Sequence, residues 1–334
     1  MAVLTKMKYR FLGRTGYQVS ELGFGGHEYR RPLPTTLGQW GNLDLVQFQK
    51  GQARRNHLIK QAIDAGINFF DATQPEEHRS LGLALKEANA REQVYVAIMI
   101  LSPFDRMRDE PIGTWQQFLF DDVKEKLGLL QSNYADILNL HMPEINFSRK
   151  RLTAALEVID TLQREGKIRR LGASSHHTRF LAEMIRKYDC FDSVMVRYNY
   201  HLQEARDALF PLCKAYEIGI VVMKPFAWPY YGIPFTHFCP KPYDSNKLTP
   251  VQASLRWILS APEVCTVVPG MNSERELTEN VNTFVEKDWT PQMLKQSLQV
   301  AQSEDARRIL EDLVNDSAVD LQYFAKRAIR ENFQ

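Results

Sequence analysis

Two ionisable side chains stand directly at the ends of short, mostly apolar segments of this sequence. Asp71 follows residues 67–70, and His141 follows residues 137–140. A carboxylate and an imidazole can act together as acid and base in a proton transfer. Parallel β-barrels place such chemistry at the carboxyl ends of their strands. A third apolar segment ends in Met99, so the predicted site lacks a cation at that position.

Eight segments of strand length alternate with longer segments of helical period. The predicted strands are 20–25, 67–71, 94–99, 136–141, 169–174, 193–197, 218–224 and 265–269. The predicted helices are 55–65, 114–130, 148–165, 179–187, 204–216 and 249–259. Apolar strands that alternate with helices are typical of a parallel sheet covered by helices on its outer face. This pattern predicts an α/β fold, a (β/α)8 TIM barrel, and we expect a single domain over residues 1–334.

Four further segments lie outside these units. Residues 9–20 are predicted to form an N-terminal β-hairpin, which could plug the bottom of the barrel. Long connections at 27–54 and 226–247 follow the first and seventh strands, where loops of this length usually bind ligands. Residues 290–334 have helical period, and this C-terminal tail could cover the barrel or pack on a partner.

The composition excludes several classes of protein. The formal net charge is +2, too small to indicate a nucleic-acid or membrane-surface partner. The sequence has neither an apolar segment of about 18 residues nor a secretory signal, so we expect no membrane contact and a cytoplasmic location. The four cysteines form no C-x-x-C pair, which predicts free thiols and no metal site. The oligomeric state stays open.

Several motifs together resemble those of the aldo-keto reductase superfamily, from residue 11 to about residue 284. The motifs are AGINFFD at 65–71, SLGLAL at 80–85, YADILNLH at 134–141, GASS at 172–175, VMKP at 222–225 and VVPGMN at 267–272, followed by Glu279 and Asn280. The resemblance implies an enzyme that uses NADP(H) to reduce a carbonyl group of a small-molecule substrate. In that family a tyrosine, a lysine, an aspartate and a histidine assist the reaction.

The resemblance transfers only part of this catalytic tetrad. It assigns the aspartate to Asp71 and the histidine to His141, but the lysine position holds Met99. No tyrosine occurs between Asp71 and Tyr95, the segment in which the family places its proton donor. We therefore expect a divergent member that uses a non-standard acid.

Three other residues are candidates for the missing groups. Glu76 and His78 lie where the tyrosine is expected, and Lys224 is the only lysine at a predicted strand end. An alternative interpretation is that Glu76, Glu77 and His78 form a solvated helix start, where acidic side chains favour the helix dipole.

The resemblance implies a more complete cofactor site. Its residues are Gly26, Ser174, Ser175, Met195, Met223, Lys224, Pro225, Gly270, Met271, Asn272, Arg275, Glu279 and Asn280. In this assignment, Gly270 lets the backbone approach the phosphates, and Arg275 pairs with the ribose phosphate. Ser174 and Ser175 face the nicotinamide amide, and NADP(H) is the expected cofactor.

The absence of the lysine has a consequence for Asp71. A buried carboxylate without a neighbouring cation should have a raised pKa, so Asp71 and His141 could form an acid–base pair, unless Lys224 reaches across and neutralises Asp71. Three functions stay open: an NADP(H)-linked oxidoreductase with a substitute acid, a non-redox lyase, dehydratase or isomerase, and a catalytically inactive nucleotide-binding protein.

Overall fold

The structure, a computed structural model, describes residues 7–26, 45–100, 110–142, 148–230, 233–239, 248–284, 290–300, 303–316 and 319–333. Its strands are β1 (Tyr9–Phe11), β2 (Gln18–Ser20), β3 (Phe69–Ala72), β4 (Tyr95–Ile100), β5 (Ala135–His141), β6 (Ile168–Ser175), β7 (Ser193–Arg197), β8 (Gly219–Met223) and β9 (Val264–Val268). Strands β3 to β9 form one parallel sheet in sequence order, and β1 pairs with β2 in an antiparallel hairpin. The predicted (β/α)8 barrel and its N-terminal hairpin are confirmed.

Residues 21–25 close the barrel between its two edge strands. The backbone N–H of Gly23 donates to the carbonyl of Val267 on β9, and that of Phe24 donates to the carbonyl of Phe69 on β3, both at 2.8 Å. The sequence predicted a regular strand over residues 20–25. The structure has only isolated bridges there, because successive N–H groups bond to two different strands.

Helices cover the outer face of the sheet, and the last two helices pack on the loop after β8. They are α1 (Leu45–Asp64), α2 (Pro75–Glu87), α3 (Ile112–Leu129), α4 (Arg149–Arg164), α5 (Thr178–Lys187), α6 (Glu204–Ala208), α7 (Phe210–Ala215), α8 (Pro250–Leu259), α9 (Glu274–Val281), α10 (Pro291–Ser297), α11 (Ser303–Leu313) and α12 (Val319–Asn332). The predicted helix 204–216 is divided at Leu209, because Pro211 has no N–H to continue the hydrogen-bond ladder. Helix α1 begins ten residues earlier than predicted, so residues 45–54 of the predicted irregular connection are helical.

The hairpin closes the bottom of the barrel, as expected. Its side chains Leu12 and Val19 are fully buried and belong to the inner cluster of the barrel. That cluster comprises Leu12, Val19, Phe69, Ala97, Met99, Ile137, Met195, Val221, Met223, Cys265 and Val268. The ring of Tyr17 stacks on Tyr95 at the start of β4, with the ring centroids 4.4 Å apart. Among the described residues, the hairpin therefore covers the amino ends of the strands and leaves their carboxyl ends as the side for a ligand.

The C-terminal tail is helical, as predicted, and packs on the loop that follows β8. Helices α11 and α12 form a small separate core with two residues of that loop, Ile233 and Phe238. The core comprises Ile233, Phe238, Ala306, Leu310, Leu313, Ala325 and Ala328. The tail thus supports a loop at the open end of the barrel.

Two further features concern expectations from composition. All four cysteines are free thiols. Among the helices of the described ranges, none combines the length and apolar character that a membrane span requires.

Candidate active site

Asp71 and His141 both point into the barrel near its open end. Side chains of a strand alternate between its two faces, and Phe69 and Ile137 belong to the inner cluster. Asp71 is two residues beyond Phe69, and His141 is four residues beyond Ile137, so both share the inner face. Asp71 is buried and His141 is partly buried. The structure thus places both predicted residues on the inner face at the carboxyl end of the barrel.

The inner face of β4, between these two strands, carries no cation. Met99 is buried in the inner apolar cluster and pairs in register with Asn139 of β5. The buried amide of Asn139 lies directly over Gly172 of β6. A Cβ on Gly172 would overlap the Oδ1 atom of Asn139. The inner face therefore carries a thioether on β4, between the two strands, and an amide on β5 below His141.

A second histidine lies against the first. The ring of His176, directly after β6, meets the ring of His141 edge to face, with centroids 5.9 Å apart. Burial, followed by the charges of Lys224 and Arg197, lowers the pKa of His176 to about 3. His176 is therefore a neutral imidazole at physiological pH.

Arg197, the last residue of β7, is a site residue that the sequence reasoning missed. Its Nη2 donates to the backbone carbonyl of His176 at 2.8 Å. The alternation of the strand contained the signal, because Arg197 is two residues beyond the inner-facing Met195. The alternation therefore predicts a charged side chain on the inner face at the end of β7, which makes Arg197 a candidate site residue.

Lys224 directly follows β8 and has a fixed backbone. Its φ is +55°, a conformation that L-residues rarely adopt. Nδ2 of the buried Asn199 donates to the Lys224 carbonyl at 3.2 Å, and Oδ1 of Asn199 accepts from the N–H groups of His201 and Leu202. The loops after β7 and β8 are thus tied together beneath the lysine.

The start of α2 is not solvated at two of its three polar residues. Glu77 is fully buried, and its Oε2 accepts from the backbone N–H groups of Thr73 at 2.6 Å and Gln74 at 3.1 Å. The interpretation of Glu77 and His78 as a solvated helix start is therefore wrong, while Glu76 is partly exposed. The buried Glu77 carboxylate therefore accepts hydrogen bonds from backbone N–H groups at the start of α2.

His78 is also fully buried. Its Nδ1 lies 2.6 Å from the carbonyl of Gln74, which can only accept, so Nδ1 carries the proton. Burial, with the charge of Lys126 on α3, lowers the pKa of His78 to about 4. The ring is then neutral at pH 7. The role of His78 as a substitute acid stays a prediction.

The cofactor candidates on the inner face of β6 to β8 are one serine and two methionines. Ser174 faces inward, paired with His141 and Met195, and its buried hydroxyl has no hydrogen-bond partner among the described residues. Ser175 differs, because its hydroxyl accepts from the N–H of His177 at 3.1 Å. Met195 and Met223 contribute apolar surface. An unsatisfied hydroxyl beside apolar side chains fits a flat ring that bears an amide.

The loop after β9 leads into a helix at the same end of the barrel. Gly270 pairs with Gly25, and the Ser273 hydroxyl caps α9 by accepting from the N–H of Glu276 at 3.3 Å. Backbone amides at a helix N-terminus suit a phosphate. However, Oε2 of Glu276 already accepts from the N–H of Asn272 at 2.6 Å, so one of these donors is occupied by a carboxylate.

The remaining cofactor candidates differ in exposure. Pro225, Met271 and Asn280 are buried, Glu279 is partly exposed, and Arg275 is exposed. A Cβ on Gly26 would overlap the carbonyl of Asp71, so this glycine is required for close packing of the chain against β3. No group of three or more side chains suited to a metal ion occurs within the described part of the chain.

Comparisons with known proteins agree with this architecture. The family model of the Aldo/keto reductase family matches residues 37–230. The L-galactose dehydrogenase of Arabidopsis thaliana is 24% identical over 305 residues, covering 85% of this chain and 90% of that protein. A protein of Oryza sativa subsp. japonica named "Probable voltage-gated potassium channel subunit beta" is 22% identical over 345 residues, covering 90% of this chain and 98% of that protein.

Among solved structures, the holo form of the aldo-keto reductase AKR11C1 from Bacillus halodurans superposes with a TM-score of 0.65 at 21% sequence identity, covering 89% of this chain and 99% of that chain. This likeness supports the barrel fold. The family model spans more than half of the sequence, and the protein therefore belongs to the aldo/keto reductase family.

Proposed function

We propose that this protein is an NADP(H)-linked oxidoreductase that acts on a small carbonyl or sugar-like substrate and uses a non-standard acid. The observation that carries the proposal is the buried Ser174 hydroxyl, which lacks a partner among the described residues and lies in register with His141. A hydroxyl can both donate to and accept from an amide. Nicotinamide offers such an amide on a flat ring, which Met195 and Met223 would contact.

When bound, the nicotinamide supplies or accepts a hydride. Reduction leaves negative charge on the carbonyl oxygen, which needs a proton donor within hydrogen-bond reach. We assign this role to His141, whose ring is on the inner face, and we assign proton exchange with it to Asp71. Met99, on the strand between them, belongs to the apolar inner cluster of the barrel.

The preference for NADP(H) over NAD(H) is the finer part of the proposal. It depends on Arg275 in the first turn of α9, whose side chain is exposed and would pair with the ribose phosphate, as the family resemblance implies. The neighbouring Glu276 opposes this preference, because a carboxylate repels a phosphate.

Cofactor binding is tested by titrating the full-length protein with NADPH and NADP⁺ and following intrinsic fluorescence. We expect binding, and we expect Ser174→Ala to weaken it by about 2- to 10-fold, the equivalent of one hydrogen bond. Ser260→Ala is the control, because this exposed hydroxyl lies at the end of α8. Absence of binding to either nucleotide would refute the proposal.

Turnover is tested with a panel of aldehydes, ketones and sugars by the absorbance of the reduced nicotinamide. Asp71→Asn and His141→Gln should each abolish turnover while nucleotide binding persists. Unchanged turnover in either variant would refute the assigned roles. Product formation without a change in nicotinamide absorbance would indicate the lyase, dehydratase or isomerase class. Binding without any product would indicate a nucleotide-binding protein that has lost catalysis.

A further inference from the structure

Four basic or imidazole side chains lie at the ends of four consecutive strands. His141 ends β5, His176 follows β6, Arg197 ends β7 and Lys224 follows β8. These strands are neighbours in the barrel in that order. Because the carboxyl ends of parallel strands meet at one edge of a sheet, the four side chains lie along one side of the barrel opening. We call them the cationic arc.

The ring of His176 is in the positive field of this arc. Besides burial, its pKa is lowered, in decreasing order, by Lys224, Arg197, His141 and His177. A cation that destabilises a second positive charge at this position stabilises a negative charge at the same position. The neutral His176 adds a ring nitrogen that can donate a hydrogen bond to an anion.

A backbone contact holds the Arg197 guanidinium, and the main chain of Lys224 is fixed by a neighbouring side chain. Arg197 Nη2 is bonded to the carbonyl of His176, which limits the movement of the guanidinium. The Lys224 backbone is held at positive φ by the buried Asn199 amide. The Arg197 guanidinium is therefore already positioned and loses less conformational entropy when an anion binds.

We propose that the cationic arc binds a carboxylate of the substrate, so that the enzyme acts on small carbonyl compounds that carry a carboxylate group. A guanidinium and an ammonium together suit a carboxylate, because the first can donate two parallel hydrogen bonds and the second adds a point charge. This inference depends on the proposed function for the carbonyl chemistry. The other source of an oxyanion at this opening is the cofactor's own phosphates, and the experiment separates the two.

The test measures carboxylate binding without requiring catalysis. Acetate, 4-hydroxybenzoate and phenylglyoxylate are titrated into the full-length protein by calorimetry, each beside its neutral amide, with and without saturating NADP⁺. We expect at least one acid to bind about 10-fold or more tightly than its amide, the equivalent of one charge-assisted hydrogen bond. The preference should persist when NADP⁺ is present. If no acid binds, or if amides bind equally well, the proposal is wrong.

Variants identify the side chains that bind the carboxylate. Lys224→Met should remove most of the acid preference, and it keeps the main-chain bond from Asn199. Arg197→Lys retains the charge but loses the planar donor pair, so it should reduce the preference only partly. Lys214→Met, an exposed charge at the end of α7, is the control and should have no effect.

The outcomes of this test are distinct from failure of the proposed function. If Lys224→Met weakens NADPH binding but leaves the acid preference intact, the arc serves the cofactor phosphates and the carboxylate proposal is refuted. If neutral aldehydes are reduced as well as their carboxylate analogues, oxidoreductase function stands and this inference falls. If acids bind preferentially but no carbonyl compound is reduced, the arc is a carboxylate site and the proposed function falls.

Discussion

The buried His78 should make the stability of the fold sensitive to acid. Its ring is fully buried, and its pKa is lowered from 6.5 to about 4, first by burial and then by the charge of Lys126. As the pH falls below 6.5, the unfolded chain takes up a proton at His78 before the folded protein does. The stabilisation is therefore present above pH 6.5 and is lost progressively as the pH falls towards 4.

The size of the effect follows from the two pKa values. At about pH 5 the unfolded imidazole is mostly protonated and the folded one is mostly neutral, which lowers the free energy of unfolding by about 2 kcal/mol. The full effect, below about pH 4, is roughly 3 kcal/mol. His78→Gln removes the titration and keeps an N–H donor for the Gln74 carbonyl.

The assay is urea denaturation of the wild type and His78→Gln, followed by tryptophan fluorescence at about pH 7.5 and about pH 5. We expect the loss of stability between these two pH values to be about 2 kcal/mol smaller in the variant. His57→Gln is the control, because this ring is exposed and its surface contact with Glu274 is worth little. An identical pH dependence in His78→Gln and wild type would refute the reasoning.

Three further predictions concern packing and cofactor preference. Gly172→Ala places a methyl group against Asn139 Oδ1. This variant should lower the free energy of unfolding by about 2 kcal/mol or more in urea denaturation. Gly113→Ala is the control, because the space around its Cβ is open, and it should be neutral or slightly stabilising. Arg275→Ala should weaken NADPH binding by about 10-fold and leave NADH binding unchanged in fluorescence titrations; equal effects on both nucleotides would contradict the assigned phosphate contact. Leu310→Ala opens a cavity in the buried core of the C-terminal tail and should lower the free energy of unfolding by about 2–4 kcal/mol; a loss below about 1 kcal/mol would contradict the packing of the tail on the loop after β8.

The strands could be predicted because most of their side chains are apolar, as burial on both faces of a strand requires. Segment 94–99 is almost entirely apolar, and segment 136–141 has apolar residues at 137, 138 and 140, as expected for parallel strands covered by helices. Their ends then located Asp71 and His141 on one rim. The same alternation would have located Arg197, had the inner face of β7 been followed to its last residue.

The environment of α2 was not predictable from the local sequence. Three polar residues, 76–78, favour a solvated helix start on composition alone. Glu77 is buried because it bonds the backbone of residues 73 and 74, and His78 is buried within range of the charge of Lys126 on a different helix. Contacts between elements that are distant in sequence decided both positions.

The helical start of α1 was missed for a related reason. Residues 45–54 contain three glutamines and a glycine among few apolar side chains, so the helical period is weak. In contrast, the division of the predicted helix 204–216 was visible in the sequence as Pro211, whose missing N–H interrupts the ladder.

The hairpin beneath the barrel has a consequence for the order of kinetic events. With Leu12 and Val19 filling the lower end, the proposed nucleotide and substrate would both enter at the carboxyl ends of the strands. The ligand that binds deeper in the barrel must then bind first and dissociate last. Saturation with the shallower ligand should then slow the escape of the deeper one, and product inhibition patterns should be those of a compulsory sequence.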